Sequence, residues 1–305
     1  MARRSRWVRG FSFAMTAVVG ATMVAAVTPG VSSAARKAST SYYVNLGDSY
    51  AEGYQPGTAG GLETLHGYAN HLVTDVARKH ALTLENFGCG GATTTSILNA
   101  IGCPPGGLAN DGVAYPTTTQ AAAALSFIAA HQGQIGLVTI SIGGNDFDGC
   151  LSSATPIPCA AAALPVMEAN IKTLASELRT AVGPSVPMIA ITYPDVALAE
   201  WLLGTTAGKS FASESAAGFR QLINPTFVAA YTPSNGSFVD ITKATGAYVP
   251  LTKTVTLKPY GKIPYAVAEV CKLTWMCAQA NIHPNNAGYT LIASQIAKVY
   301  LKLAA

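Results

Sequence analysis

The sequence contains few charged side chains, 11% of its 305 residues, and no excess of either sign beyond its first residues. Four of the 19 Lys and Arg precede residue 10, which leaves 15 basic residues against 15 acidic ones. A formally neutral chain gives no support to a nucleic-acid or anionic-membrane partner. Internal repeats and low-complexity linkers are also lacking. The sequence therefore predicts one domain, long enough to bury a substantial core.

The six cysteines include no Cys-x-x-Cys pair, and no histidine except His283 lies near them at ligand spacing, which argues against a zinc site. They fall instead into three close pairs, and we expect each pair to form a disulfide that stabilises the fold by about 2 to 3 kcal/mol. Other connectivities stay open on spacing alone. The predicted pairs are Cys89 with Cys103, Cys150 with Cys159, and Cys271 with Cys277.

The first 35 residues have the three parts of a secretion signal. A cluster of arginines precedes an uncharged apolar run, Phe11 to Val27, and small residues follow at Val31 to Ala35. A retained membrane anchor is the alternative, but the run is short for a bilayer span and ends near Pro29. We predict a signal peptide at 1–35, a domain at 36–305, a secreted extracellular protein and no stable membrane anchor.

Apolar, β-branched runs alternate with amphipathic segments along the rest of the chain. This alternation predicts an α/β fold, a three-layer α/β/α sandwich with a central parallel sheet. The predicted strands are Tyr42 to Leu46, Leu82 to Phe87, Leu137 to Ile142, Pro187 to Tyr193 and Phe238 to Ile241. The predicted helices are Gly67 to His80, Thr119 to His131, Cys159 to Val182, Lys209 to Ala230 with a break or kink at Pro225, and Asn286 to Leu303.

Glycine turns follow the first three predicted strands, at Gly47, Gly88 and Gly143. Because parallel strands all point one way, these turns emerge on one rim of the sheet, where ligand crevices lie. The first turn presents Ser49 beside the predicted start of a helix. Gly-Asp-Ser by itself is equally typical of a plain turn or a helix cap.

Acyl-bond hydrolysis needs a nucleophile, a base within hydrogen-bond reach and donors for the oxyanion. Ser49 is the candidate nucleophile, and His283, in a turn stiffened by Pro284 before the last helix, is the candidate base. The candidate donors are the backbone N–H groups of Ser49 and Gly91 and the side-chain amide of Asn145. No step calls for a metal or an organic cofactor. The other histidines, predicted to be surface or structural residues, are His66, His71, His80 and His131.

Four blocks of sequence occur together in a recognisable order: Gly47-Asp48-Ser49, the glycine turn at Gly91, Gly143-Gly144-Asn145-Asp146, and His283-Pro284-Asn285. Their order and spacing resemble the SGNH hydrolase superfamily, the GDSL esterases and lipases, over nearly the whole chain after the leader. The secreted actinobacterial members, which also carry three disulfides, are most similar. The resemblance implies Ser49 as nucleophile, His283 as base, and an oxyanion hole from Ser49, Gly91 and Asn145.

One position departs from the family pattern. Most relatives carry an aspartate three residues before the histidine, where this chain has Ala280. The resemblance to the actinobacterial members implies that the main-chain carbonyl of Ala280 orients His283. The side chains of Asn281, Asp195 and Asp240 are less favoured substitutes.

We therefore expect a monomeric carboxylic ester hydrolase that acts on a small-molecule or lipid ester through an acyl-enzyme, with activity rising between about pH 6 and 8. A carbohydrate acetyl esterase, an inactive secreted binding protein and a serine peptidase are alternatives, although the peptidase reading lacks a Gly-x-Ser-x-Gly elbow. A nucleophilic Cys89 would require that residue to be unpaired. The candidate pocket walls are Phe147, Trp201, Leu202, Leu203, Tyr260 and Trp275.

Overall fold

The computed structural model describes residues 41–57, 60–63, 65–76 and 79–304. The predicted signal peptide and its cleavage site lie outside the described residues. None of the described helices combines the length and the apolar character needed to cross a bilayer. In chain order the strands are β1 (Ser41–Gly47), β2 (Tyr54–Gly57), β3 (Gly60–Glu63), β4 (Leu82–Asn86), β5 (Ile135–Ser141), β6 (Met188–Ile191), β7 (Ser237–Val239), β8 (Thr254–Leu257) and β9 (Gly261–Pro264).

Five of these strands form a parallel sheet in the spatial order β4-β1-β5-β6-β7. β1, β5 and β6 are apolar almost throughout and nearly fully buried, as expected for strands covered on both faces. The helices on the two faces complete the predicted three-layer sandwich, and the α/β fold class is confirmed. In chain order the described helices are α1 (Ser49–Glu52), α2 (Tyr68–Val76), α3 (Thr94–Asn99), α4 (Gln120–Ala130), α5 (Pro156–Val182), α6 (Thr206–Gly218), α7 (Asn224–Tyr231), α8 (Ile241–Ala244), α9 (Tyr265–Leu273), α10 (Met276–Gln279) and α11 (Asn286–Leu303).

Sheet order reverses beside β1. The chain leaves β1 for β4 on one side and then crosses to β5 on the other, so the carboxyl ends of β1 and β5 border the point where the winding direction changes. In open α/β sheets this point is where ligands bind. Gly47 at the end of β1 pairs with Ser141 at the end of β5. The turns that carry Ser49 and Asn145 therefore begin side by side.

The long helix predicted for Lys209 to Ala230 is interrupted, as Pro225 predicted. α6 ends at Gly218, a single π-helical turn covers Phe219–Ile223, and α7 begins at Asn224. Pro225 is the second residue of α7 and has no N–H to donate, and the π-helical turn lies directly before this segment.

Two short antiparallel hairpins, β2 with β3 and β8 with β9, were not predicted. Their strands are only four residues long, so even the alternation in Thr-Val-Thr-Leu of β8 is too short to distinguish a strand from a loop. The segment Val196–Leu203, read from sequence as a loop, forms a 3-10 helix.

Candidate active site

The turn after β1 holds Ser49 by backbone contacts. Gly47 has φ of +141°, and a Cβ there would overlap the carbonyl oxygen of Ser141, so only glycine fits. The Asp48 N–H donates to that same carbonyl at 2.9 Å. Asp48 then caps α1, because its carboxylate accepts from the Tyr50 N–H at 3.0 Å. Ser49 is the first residue of this helix and is 9% exposed.

Helix α1 is short, and two buried asparagines in the strands of the sheet hold it in place. The side-chain amides of Asn45 in β1 and Asn86 in β4 both donate to the carbonyl of Ala51, at 2.9 and 3.1 Å. The two amides also bond each other at 2.9 Å. Four residues of helix alone are too few to be stable, so the sheet supplies the stability of the segment that carries Ser49.

His283 faces Ser49 across 234 residues of sequence, with Nε2 2.7 Å from Oγ. Two further hydrogen bonds hold its loop. The backbone N–H of Trp275 donates to the His283 carbonyl at 2.9 Å, and the Tyr50 hydroxyl donates to the Ile282 carbonyl at 2.7 Å. The second bond ties the histidine loop to the residue that follows the nucleophile. The predicted pair is therefore brought into hydrogen-bond contact.

The prediction that the Ala280 carbonyl orients His283 is wrong in this structure. Nδ1 of His283 lies 2.8 Å from Oδ1 of Asn281, and the backbone N–H of His283 donates to the same oxygen at 3.0 Å. Ala280 ends α10 in the left-handed conformation, with φ of +50°, and the chain turns there. Asn281 then forms an Asx turn whose oxygen meets the imidazole.

The Asx turn also settles the tautomer of His283. A backbone N–H can only donate, so the atom of Asn281 that faces it must be the oxygen. Nδ1 must then carry a proton to donate to that oxygen, which leaves Nε2 unprotonated towards Ser49. Burial lowers the pKa of His283 to about 4. An amide oxygen carries no charge that would counteract this effect.

The three predicted oxyanion donors each have an unused hydrogen, and two of their residues, Ser49 and Asn145, line one cavity. Among the described residues, the backbone N–H groups of Ser49 and Gly91 have no acceptor. Gly91 has φ of +77° and open space where a Cβ would stand. Nδ2 of Asn145 donates one hydrogen to the Ala92 carbonyl at 2.8 Å and keeps a second hydrogen available.

The loops that carry Gly91 and Asn145 are joined by a second set of bonds that the sequence did not reveal. The backbone N–H and the hydroxyl of Thr94 donate to the two carboxylate oxygens of Asp146, at 2.8 and 2.5 Å. Asn170 of α5 donates to the Thr94 hydroxyl at 3.2 Å. The donors on both loops are therefore fixed relative to each other.

A profile of the GDSL-like lipase/acylhydrolase family matches residues 46–291, which include Ser49, Gly91, Asn145 and His283. The chain belongs to this family. No curated protein matches the sequence.

Several solved structures are similar to this GDSL-like acylhydrolase at 17% identity. An extracellular lipase from Streptomyces rimosus has a TM-score of 0.49, with 87% of this chain and 100% of that chain covered. Phospholipase A1 from Streptomyces albidoflavus NA297 has a TM-score of 0.48, with 84% and 99% covered. A catalytic mutant of Axe2, an acetylxylan esterase from Geobacillus stearothermophilus, has a TM-score of 0.48, with 86% and 94% covered.

A cavity of about 90 Å³ opens beside Ser49 in this GDSL-like acylhydrolase, and its lining is mainly apolar. Phe147 lines it as predicted. The other five predicted wall residues do not, because a position in a predicted loop does not show whether that loop folds towards Ser49. The apolar side chains that sequence reasoning missed come from the segment near Cys150 and from α5, α6 and the turn after α6. They include Leu151, Pro156, Ile157, Phe211, Phe219 and Ile223.

The three predicted disulfides are present, and all six described cysteines are paired. Cys89 is therefore no nucleophile, and the zinc alternative is excluded for these residues. The bridge between Cys89 and Cys103 closes the loop that contains Gly91. The bridge between Cys271 and Cys277 joins α9 to α10, directly before the histidine loop.

The remaining acidic candidates have other partners. Asp195 accepts from the Ser215 hydroxyl, and Asp240 accepts from the Asn224 amide, so neither orients His283. Beside the nucleophile, the Tyr193 hydroxyl donates to Asp48 at 2.5 Å. Burial outweighs this bond and raises the pKa of Asp48 to about 7. The other four histidines contact different groups; His131, for example, stacks on Phe127.

Proposed function

We propose that this family member is a serine ester hydrolase in which Ser49 is the nucleophile and His283 the general base. The observation that carries the proposal is the 2.7 Å contact between Nε2 and Oγ, with Nε2 as the unprotonated ring nitrogen. A nucleophile and an oriented base within hydrogen-bond distance are what acyl transfer through a serine requires. Asn281, and not a carboxylate, would orient the base.

In the proposed cycle, Oγ of Ser49 attacks the ester carbonyl carbon while His283 takes the hydroxyl proton. The carbonyl oxygen, now negative, accepts from the N–H groups of Ser49 and Gly91 and from the amide of Asn145. His283 returns the proton to the departing alcohol, which leaves an acyl-enzyme. Water then loses a proton to His283 and attacks the acyl carbon, and Ser49 recovers its proton as the acid departs.

The cavity beside Ser49 supports an ester with an apolar acyl chain. Phe147, Phe211 and Phe219 are among its walls, and apolar side chains outnumber the polar ones. An acetyl group would leave most of such a cavity unfilled, whereas a longer chain would remove its own surface and that of the walls from water. We therefore favour a lipase or esterase over a carbohydrate acetyl esterase.

Secretion of the enzyme is part of the proposal. Three disulfides in a chain of this size are typical of proteins that fold in oxidising compartments. The basic and apolar leader of the sequence is consistent with export.

Hydrolysis of p-nitrophenyl esters from acetate to palmitate tests the proposal. We expect activity that rises with chain length beyond acetate, and its loss in Ser49→Ala and in His283→Ala, by on the order of 10⁴-fold or more in kcat. Asn145→Ala should lower kcat by about a hundredfold with little change in KM. Activity that survives in Ser49→Ala would refute the nucleophile assignment, and a chain without activity on any ester would favour the binding-protein alternative.

A further inference from the structure

Charge is distributed unevenly along this chain. Residues 41–200 contain 12 acidic and 4 basic side chains, whereas residues 201–304 contain 3 acidic and 9 basic ones. Within the second part, residues 241–268 hold four lysines and no Asp or Glu. The neutral total, which argued against an anionic partner and which also counts Arg36 and Lys37, therefore combines two regions of opposite charge.

Three of those lysines belong to one exposed hairpin, Lys253 to Pro264, which we call the basic hairpin. Its strands β8 and β9 pair Val255 with Ile263 and Thr256 with Lys262. The Val255 and Ile263 side packs on a small apolar core that includes residues of α9. Because side chains alternate across a strand, Lys262 lies on the opposite, exposed side, and Lys258 is exposed at the connection.

None of the described carboxylates forms an ion pair with a lysine of the basic hairpin. The two ion pairs among the described residues are Lys172 with Glu168 and Lys272 with Glu269. The ammonium group of Lys253 lies 5.4 Å from the centre of the Tyr265 ring, a contact that leaves its charge uncompensated. The hairpin therefore presents three positive charges to its surroundings.

The basic hairpin adjoins the loop that carries the candidate base. The hydroxyl of Tyr260, in the connection between β8 and β9, donates to the Cys277 carbonyl in α10 at 3.0 Å. Trp275, directly before α10, donates to the His283 carbonyl at 2.9 Å. The ring of Tyr260 is itself 36% exposed beside Lys258 and Lys262. Tyrosine next to lysine is a combination suited to the boundary between water and lipid.

We propose that the basic hairpin docks this protein on a surface of anionic phospholipid. A bilayer of anionic lipid offers a continuous negative plane, which several exposed lysines of one hairpin can approach at the same time. A single-stranded nucleic acid would require a groove with several stacking aromatics, and the hairpin exposes one. Docking would bring the His283 loop close to the lipid surface, so that esters within the bilayer would reach Ser49. This consequence rests on the proposed function; the docking itself does not.

Sedimentation with vesicles tests docking without catalysis, in a Ser49→Ala background that keeps the lipid intact. The vesicles contain phosphatidylcholine alone or equal parts of phosphatidylcholine and phosphatidylglycerol. We expect binding only to the anionic vesicles, and weaker binding as salt screens the charges. The triple variant Lys253→Gln, Lys258→Gln, Lys262→Gln should bind about a hundredfold more weakly at low salt.

A matched control removes three exposed lysines elsewhere, Lys79→Gln, Lys298→Gln and Lys302→Gln, and should retain binding. The hairpin variant should keep the unfolding temperature of the parent protein. When the hairpin substitutions are made in the protein with native Ser49, hydrolysis of a soluble p-nitrophenyl ester should be unchanged. Equal binding to neutral vesicles, equal loss in the two triple variants, or binding to polyphosphate without binding to vesicles would overturn the proposal. An enzyme inactive on all esters that still binds anionic vesicles would refute the proposed function alone.

Discussion

The two halves of the candidate dyad are held in different ways. The nucleophile turn, residues 47–52, is fixed by the sheet: the Asp48 N–H donates to the carbonyl at the end of β5, and two buried asparagine side chains of β1 and β4 donate to the carbonyl of Ala51. The histidine loop, residues 280–285, has no hydrogen bond to a described strand of the five-stranded sheet. A disulfide, an Asx turn and bonds from Trp275 and Tyr50 hold it.

This difference has a consequence for mutation. Backbone positions that touch a sheet cannot yield without moving the core, because interiors are close-packed. A loop held by a few separate contacts can lose one of them and keep its path. We therefore expect the nucleophile turn to respond to substitution by unfolding, and the histidine loop to respond by graded loss of activity.

The largest effect is expected from Gly47→Ala. The new methyl group would overlap the Ser141 carbonyl, and alanine is strained at φ of +141°. We expect destabilisation of about 4 kcal/mol or more, measured by urea unfolding, together with loss of ester hydrolysis. Gly149→Ala is the control, since its Cβ would meet open space, and its stability should stay within about 0.5 kcal/mol. A folded, active Gly47→Ala protein would contradict the expectation that substitutions in the nucleophile turn unfold the protein.

A smaller effect is expected at Asn281, where the loop can be altered without unfolding. Asn281→Ala should lower kcat by about tenfold to a hundredfold, because His283 loses the acceptor that fixes its tautomer. KM and unfolding temperature should change little. An unchanged kcat would mean that another group orients the ring.

The pH dependence of kcat/KM in Asn281→Asp gives a more specific test of the contact between residue 281 and His283. His283 acts as a base only when unprotonated, so kcat/KM of the native protein should fall as the pH drops through about 4, the lowered pKa of His283. This limb lies well below the pH 6 to 8 that an ordinary histidine predicts. A carboxylate at position 281 favours the imidazolium, raises the pKa and should move the limb to higher pH. A limb that stays in place would contradict a direct contact between residue 281 and Nδ1.

The smallest effect on activity is expected from removing the Cys271–Cys277 bridge by serine substitution at both positions. The bridge closes a short loop, with a separation of 6 residues, so the loss of stability should be about 2 kcal/mol. A calorimetric melt would report the decrease, and kcat should fall by less than in Asn281→Ala. A loss of activity as large as that of His283→Ala would show that the bridge, and not Asn281, controls the base.

Sequence patterns predicted the features that depend on local rules. Apolar runs of β-branched residues identified β1 and β5, the glycine after β1 located the turn at Ser49, and Pro225 located the helix break. Each follows from what one residue type permits its own backbone to do. The disulfides followed from close spacing in the same way.

Features set by tertiary contacts were not predictable to the same extent. Ala280 is not a residue type that favours a positive φ, so nothing in the sequence indicated that the chain would turn there and present Asn281 to His283. The cavity walls combine Leu151 with Phe211 and Phe219, residues brought together only by the packing of α5 and α6. The bonds between Thr94 and Asp146 likewise join positions 52 apart.

The hydrogen bond from Tyr50 to the Ile282 carbonyl spans 232 residues of sequence. A chain still emerging from the ribosome would contain its serine and the turn that presents it long before it contained the histidine, 234 residues later. Synthesis therefore leaves the nucleophile without its base until the histidine loop has been made and has joined the fold.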